Sequence, residues 1–579
     1  MWDPASDLVI TYDYALRREI CESGGTAAYL DHLVDATEMQ RHNFTCYDFF
    51  KRWHTSADGS DIFTYRSVPF GMSFRLDYWN DYIFWVRARL CLEQLRGVGY
   101  EMLLVGTSLG IVEQILRDDM QVDFTPIEPG AGAPLSEYFF PIHRWMGENI
   151  RRTGVRAHVI NACAWSLGMA YSLFDRMTGA AQQRPAVLVQ EYHPTRELIQ
   201  RLRREGRVRV VGTTVSRTHL WSRYIPLGSR VSRFNDAATR LLADFRARRC
   251  VRLVLSPGLD FTDGAYAIIE RRIAARVAES VRIIDAVLQY QAHHPLSLEV
   301  LIANMGDVVT QVDCVCRACG VPSYLIANGI LATPFMDDSK HATVINAYSS
   351  SVKEHYFAGM SNVICRGDPR MDRYFPAVAR RLIDPDAFTV TIGASGHNST
   401  DLNSYVAVEF EFLAGVLEAI QRVSTRGAAV AIVLKVRGNG YVSQYRDFVA
   451  EFFPDLVLRI VDDVPMADIL AGTDLFISIY SQTLFEASCS GIPAIYFRVD
   501  DEIKQPPFDG MGELVTVETV DALVDAIEDC RRGSARYDAF LDRTTMERYI
   551  GPLDGRCIER NLQQVYDMLG EPADAAATS

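Results

Sequence analysis

From about residue 100 the chain repeats one pattern, a short apolar run followed by a helical stretch and then another apolar run. The runs are "AHVIN" (157–161), "AVLVQ" (186–190), "VRVVGT" (208–213), "VRLVLSP" (251–257), "LEVLIAN" (298–304), "SYLIAN" (323–328), "ATVIN" (342–346) and "NVICRG" (362–367). Amphipathic patterns separate several of them, the longest near 263–292. Strands that are apolar on both faces and spaced by helices predict parallel sheets covered on both sides. A second series follows "LIDPDAF": "FTVTIGASG" (388–396), "AVAIVLKVRG" (429–438), "LVLRIVDD" (456–463), "DLFISIY" (474–480), "PAIYF" (493–497) and "LVTV" (514–517). The expected fold is therefore α/β, with two Rossmann-like domains facing across a cleft and a hinge around 376–388. A chain of 579 residues is too long for one core. The expected division is a helical and irregular N-terminal region (1–98), a first Rossmann-like domain (99–385), a second Rossmann-like domain with closing helices (386–569), and a disordered tail (570–579). The N-terminal region is rich in aromatics ("FKRWHT", "RLDYWNDYIFWVRARL") and predicts one long amphipathic helix near 79–96.

A net charge of −14 argues against a nucleic-acid binder that relies on general phosphate attraction. Two local basic clusters stand apart, "RLRREGRVR" (201–209) and "RARRCVR" (246–252). They read as solvated helix faces, or as patches that meet an anionic acceptor or a membrane surface. The twelve cysteines are scattered, and no apolar run approaches the ~20 residues of a membrane span. The expectation is a reduced, cytoplasmic protein, with the inner face of a membrane as a second place of work. Cys314, Cys316 and Cys319 in "DCVCRACG" lack a second CxxC or a His pair, so no metal site is assigned.

In such sheets ligands bind beyond the carboxyl ends of the strands. In the second domain those ends carry a consistent set of groups. "GASGHNSTD" (393–401), with Gly393, Ser395, Gly396 and His397, is a turn that can bring backbone N–H groups against phosphate oxygens. "LKVRGNG" (434–440) places Lys435 and Arg437 at a strand end, two cations suited to a diphosphate or phosphodiester leaving group. "DLFISIYSQTLFEASCSGIPAIYF" (474–497) empties a buried strand into Tyr480, Ser481, Gln482 and Thr483, where hydroxyls can cap a helix or bind phosphate. Glu486 follows on that helix, where a carboxylate can serve the two hydroxyls of a ribose. Taken singly, each residue reads as a cap or a surface charge; together they read as a nucleotide site.

The stretch "ADILAGTDLFISIYSQTLFEASCSGIPAIYF" resembles the nucleotide-binding segment of GT-B glycosyltransferases, and is most similar to those building bacterial surface and capsular polysaccharides and to CDP-glycerol glycerophosphotransferases. "CGVPSYLIANGI" (319–330) and "CRGDPRMDRYF" (365–375) resemble two further segments of that group, and "LKVRGNG" stands where it carries a lysine–histidine loop. The resemblance covers roughly residues 300–500. It implies a nucleotide-sugar co-substrate, no other cofactor, and a metal-independent transfer to a glycan or lipid-linked acceptor. Two departures stand out. Asn328 occupies the place of a family histidine before Gly329, and no histidine follows Lys435.

Glycosyl transfer requires a base near the acceptor hydroxyl and positive charge on the departing phosphate. The base is expected from the first domain. Asp307 in "ANMGDVVTQ" is the first candidate, then Glu191 and His193 in "VQEYHPTREL", then Asp260 in "SPGLDFTDG". Three other readings stay open: transfer of a polyol phosphate from a CDP donor, which shares this site logic, a nucleotide-sugar 2-epimerase of the same double fold, and a non-catalytic scaffold.

Overall fold

The structure is a computed structural model. It describes residues 7–11, 14–105, 110–126, 155–178, 184–213, 216, 218–219, 222–227, 231–303, 307–329, 341–375, 387–394, 408–436, 442–479, 481–499 and 512–570. Of the expected hinge at 376–388, residues 376–386 lie outside them, as do residues 571–579 of the tail.

Two parallel sheets organise the chain. The first contains β1 (Ala186–Val189), β2 (Arg209–Gly212), β3 (Arg223–Tyr224), β4 (Leu298–Leu301), β5 (Ser323–Ile326), β6 (Val344–Asn346) and β7 (Val363–Ile364). Their spatial order is β3-β2-β1-β4-β5-β6-β7. The second contains β8 (Phe388–Gly393), β9 (Val430–Lys435), β10 (Leu458–Val461), β11 (Leu475–Ser478), β12 (Ala494–Phe497) and β13 (Val515–Val517). It runs β10-β9-β8-β11-β12-β13. Both orders reverse direction once, between the first and fourth strands, which is the doubly wound Rossmann arrangement. The two chains of reasoning, apolar strands and parallel pairing, agree because β1, β4, β5, β11 and β12 are buried at every position.

Several expected elements differ. "AHVIN" lies within a helix, Val155–Thr178, rather than in a strand. "VRLVLSP" contributes to an antiparallel hairpin, Val254–Ser256 with Leu259–Asp260, outside the parallel sheet. Leu104–Val105 pairs with Thr125–Pro126 in a two-stranded sheet of its own, so the first main sheet starts at Ala186 and not near residue 100. The pattern near 263–292 is two helices, Thr262–Ile273 and Val277–His293.

The N-terminal region is a bridge between the domains. Its long helix, Arg75–Glu93, is buried along most of its length rather than amphipathic. It packs on Thr262–Ile273, where Gly264 admits the Trp85 ring. A Cβ there would stand 2.3 Å from it. Arg272 pairs with Asp81, and Arg276 with Asp77 at 2.9 Å. On the other side, helix Tyr14–Glu22 meets the second domain. The Tyr14 ring lies 5.3 Å and 5.2 Å from Phe448 and Phe452. Arg17 and Tyr29 both bond the Glu411 carboxylate, at 2.7 and 2.8 Å.

The last helix, Cys557–Leu569, returns to the first sheet instead of closing the second domain. Ile558, Leu562, Val565 and Tyr566 join the core formed by Val187, Val189, Leu198 and Val300. Asn561 is fully buried and anchors it: its Oδ1 accepts from the Tyr324 hydroxyl at 2.6 Å and from Asn346 Nδ2 at 2.9 Å, while its Nδ2 donates to the Gly367 and Cys557 carbonyls. Asn561→Ala strands two buried donors, at a cost of about 2–4 kcal/mol. The expected result is a lower unfolding midpoint in urea with an unchanged far-ultraviolet circular dichroism spectrum. An unchanged midpoint would show that the network contributes nothing net.

Candidate functional site

In a doubly wound sheet the crevice opens where the strand order reverses. In the first domain this is between β1 and β4. Gln190 stitches the two strand ends together, its Oε1 accepting from the Ile302 N–H at 2.8 Å. Glu191, Tyr192 and His193 follow, and the short turn His193–Thr195 is held by the buried Thr195 hydroxyl, which donates to the Gln190 carbonyl at 2.5 Å. Asp307 opens the helix after β4, Asp307–Ala318; its side chain lies outside the described residues. Thus three of the four candidate bases stand at this switch point. Asp260 does not. It sits on the separate hairpin, where it pairs with Arg252 at 2.5 Å and accepts from the Thr262 N–H and hydroxyl, interactions that hold its carboxyl down at about 2. Those partners make it a helix-capping turn acid.

Glu191 accepts a hydrogen bond from the Ser216 hydroxyl and lies 3.6 Å from Arg196. Ser216 in turn accepts from the His219 N–H at 3.0 Å. The buried His219 ring is fixed by Ser222 and by the Val189 carbonyl, and packs where Gly212 leaves room, since a Cβ would be 3.0 Å from the ring. Burial lowers the His219 pKa. His193 lies nearer solvent. Partial burial is the largest influence lowering its pKa, and Arg196, Arg370 and Arg373 add to it. Its ring is therefore neutral and basic at neutral pH.

In the second domain the switch point lies between β8 and β11. Register places Gly393, Lys435 and Ser478 side by side at one rim. Gly393 is required by packing: a Cβ would stand 2.5 Å from the Phe476 ring. Its carbonyl accepts from the buried Ser478 hydroxyl at 2.7 Å. Lys435 donates to the Asp462 carbonyl at 2.6 Å, and burial lowers its pKa against the pull of Asp462 and Asp463. Ser481 sits before the helix Thr483–Cys489, its hydroxyl 2.8 Å from that of Thr483, and Gln482 occupies the cap position. Ser395, Gly396, His397, Arg437 and Tyr480 lie outside the described residues.

Glu486 is not on an open helix face. It is largely buried and accepts from the Tyr374 hydroxyl at 2.9 Å. Tyr374 belongs to the turn Pro369–Tyr374, which follows β7 and plugs into the second domain beside Phe476, Leu484 and Phe485. The same turn carries Arg370, clamped on the fully buried Asp368 at 2.5–3.1 Å. Asp372 on that turn accepts from the Cys557 and Ile558 N–H groups at 2.8 Å, capping the returning helix.

These parts meet at a cavity of 340 Å³. His193, Pro194, Arg196, Glu197 and Gln200 line it from the first switch point, and Pro369, Arg370 and Arg373 from the turn, so one carboxylate faces the three guanidinium groups. Three guanidinium groups and an imidazole converging on one crevice can hold a phosphate or diphosphate. Arg196, Arg370, Arg373, Tyr374, Ser216 and His219 are absent from the sequence-derived site. Three of them, Arg370, Arg373 and Tyr374, lie in "DPRMDRYF", within the segment that carries the resemblance.

No protein-family model matches the chain, and no curated protein matches it. Solved structures do. MnaA from S. aureus in complex with UDP is similar at 12% identity over 68% of this chain and 99% of its own, with a TM-score of 0.43. UDP-GlcNAc 2-epimerase from Neisseria meningitidis bound to UDP-GlcNAc is similar at 10%, over 66% and 99%, with a TM-score of 0.41. A glycosyltransferase from Rickettsia africae stands at 10%, over 67% and 100%, also at 0.41. Likenesses this distant assign this chain no activity. What its own topology shows is two doubly wound parallel sheets.

Burial is the largest influence on Glu486 and raises its pKa, against the lowering influence of Arg370 and Tyr374. A raised carboxyl disfavours the charged form in the folded state. Its cost is therefore absent below the ordinary 4.5 and present once pH exceeds the folded value. Glu486→Gln is expected to raise the melting temperature above neutral pH and to leave it unchanged at acidic pH below that ordinary value. A lower melting temperature above neutral pH would show that the ion pairing outweighs burial.

Proposed function

We propose that the protein is a glycosyltransferase that moves a sugar from a nucleotide-sugar donor to a glycan or lipid-linked acceptor in surface polysaccharide synthesis. The observation that carries this reading is the cavity where His193 and Arg196 from one switch point face Arg370 and Arg373 from the turn that enters the other domain. Arg370, Arg373 and Arg196 take the donor diphosphate, and Lys435 stands at the rim for the nucleotide half. Glu486 and Asp368 hold the arginine turn in place, so Glu486 acts as a positioning residue beside any contact it makes with ribose.

In a direct displacement, His193 takes the proton from the acceptor hydroxyl as that oxygen attacks the anomeric carbon. The bond from the anomeric carbon to the phosphate oxygen breaks, and the nucleoside diphosphate leaves with its electron pair. Arginines placed where charge develops stabilise that departure. A base must be unprotonated, and the lowered His193 pKa keeps it so at neutral pH.

Release of nucleoside diphosphate from a donor sugar only when acceptor is added tests transfer. Interconversion of the donor without acceptor would establish the 2-epimerase reading, and a CDP-polyol as sole substrate the polyol-phosphate reading. Arg373, exposed and hydrogen-bonded to the Arg370 carbonyl at 2.9 Å, gives a clean probe. Arg373→Ala is expected to weaken nucleoside diphosphate binding roughly tenfold, measured by titration calorimetry, with no change in the melting temperature of the free protein. In the wild type, kcat/KM should fall as pH drops below the ordinary histidine value of 6.5 through the lowered one. His193→Gln should abolish most of the activity and leave donor binding in place.

A further inference from the structure

Helix Val155–Thr178 stands at the edge of the first sheet, outside the machinery described above. One side of it is seated. Gly168 is buried against the Tyr224 carbonyl and Pro226, where a Cβ would stand 2.9 Å from that carbonyl, and Arg223 stacks on Tyr171 at 4.3 Å. The opposite side is apolar and open. Trp165 is 44% exposed, Met169 48%, Leu173 61%, Phe174 55% and Met177 79%. Residues 165, 169, 173 and 177 recur at i, i+4, so they form one stripe along the helix, with Phe174 widening it. The remaining described exposed residues of that face, among them Cys163, Ser166 and Ala170, carry no charge. A soluble surface rarely leaves so many large apolar side chains contiguous without a partner.

A basic cluster adjoins the foot of this helix. Five residues separate Thr178 from Arg184, at most ~20 Å of chain. The exposed Arg184 lies beside the turn that ends helix Arg196–Glu205. Its Nη1 is 3.7 Å from the Cβ position of Gly206, and its carbonyl accepts from Arg209 at 3.1 Å. Arg203 and Arg204 project from that helix end and, with Gln200 and Thr218, line an open cavity of 300 Å³. Arg203 is oriented by the Thr218 carbonyl at 2.9 Å. The segment 218–226 then connects this cavity to the strand on which the apolar helix is seated, since the Tyr224 hydroxyl bonds the His219 carbonyl.

We infer that this edge is a docking surface for an anionic lipid bilayer. The stripe of Trp165, Met169, Leu173, Phe174 and Met177 enters the boundary between headgroups and acyl chains, and Arg184, Arg203 and Arg204 take lipid phosphates. An apolar helix face with tryptophan and phenylalanine, flanked by arginines, is the composition that lies in a membrane interface. Among the described residues no helix is long and apolar enough to cross a membrane, so the attachment is peripheral. Local positive charge beside an apolar stripe, in a chain of net charge −14, complements an anionic bilayer. This surface does not depend on the proposed transferase reading.

The test is flotation of the full chain with vesicles of phosphatidylcholine, with and without phosphatidylglycerol. The wild type should float with the anionic vesicles and remain behind with the neutral ones. Leu173→Glu should reduce the floated fraction tenfold or more, and Arg184→Glu with Arg204→Glu should reduce it too and remove its salt dependence. Because these side chains are exposed, melting temperatures should stay within a degree or two of wild type. Wild type that remains in the aqueous phase, or a Leu173→Glu variant that floats as before, overturns the inference. So does sedimentation velocity showing a wild-type dimer that Leu173→Glu dissociates, which would make a second copy the occupant.

Discussion

The geometry of the cleft depends on one turn, Pro369–Tyr374. Four of its side-chain interactions point in different directions. Asp368 caps the turn and clamps Arg370, Asp372 caps the returning helix Cys557–Leu569, and Tyr374 bonds Glu486 in the other domain. The turn thereby fixes where the chain leaves the first sheet, where it enters the second, and where it comes back. A charged hydrogen bond is worth most when its partners are excluded from water. Asp368, 1% exposed, and Arg370 meet that condition, and Glu486 adds a second carboxylate at longer range. The arrangement leaves the guanidinium with a fixed orientation on the cavity wall, so little entropy is lost when an anion arrives.

The domains are joined three times, by this turn, by the returning helix and by the N-terminal region. The last is the least ordinary. Tyr14 and Arg17 hold the second domain through Phe448, Phe452 and Glu411, while Trp85, Asp81 and Asp77 hold helices of the first. A strap that touches both domains limits how far they can move apart. The aromatic content that made the first hundred residues look irregular is the material of this strap. Trp53, Phe49, Phe63 and Tyr78 are all at or near complete burial.

Strand positions were legible wherever a strand is buried on both faces, because such a strand must be apolar throughout. β8 to β13 follow the apolar runs within a few residues. The run at 157–161 failed for the same reason: an apolar stretch of that length does not say whether it belongs to a strand or to a longer helix. The site was legible in part. Glu191, His193 and Asp307 are at a switch point because candidates were sought at strand ends, and Glu486, expected to serve a ribose, lies largely buried against Tyr374. Its partners were not, since a hydrogen bond between Tyr374 and Glu486 spans 112 positions and leaves no local pattern. Arg370 and Arg373 sit in a turn whose role is defined by the helix Asp372 caps, 185 positions later.

The central claim is that an anionic group is held at the first switch point, between Arg196 and the arginines of the turn Pro369–Tyr374. A structure of the wild-type protein with a bound nucleoside diphosphate tests it most directly. The account predicts the diphosphate in the cavity lined by His193, Arg196, Arg370 and Arg373, with phosphate oxygens within hydrogen-bond distance of Arg370 or Arg373. A diphosphate bound elsewhere, with these side chains left in contact with solvent alone, would contradict it.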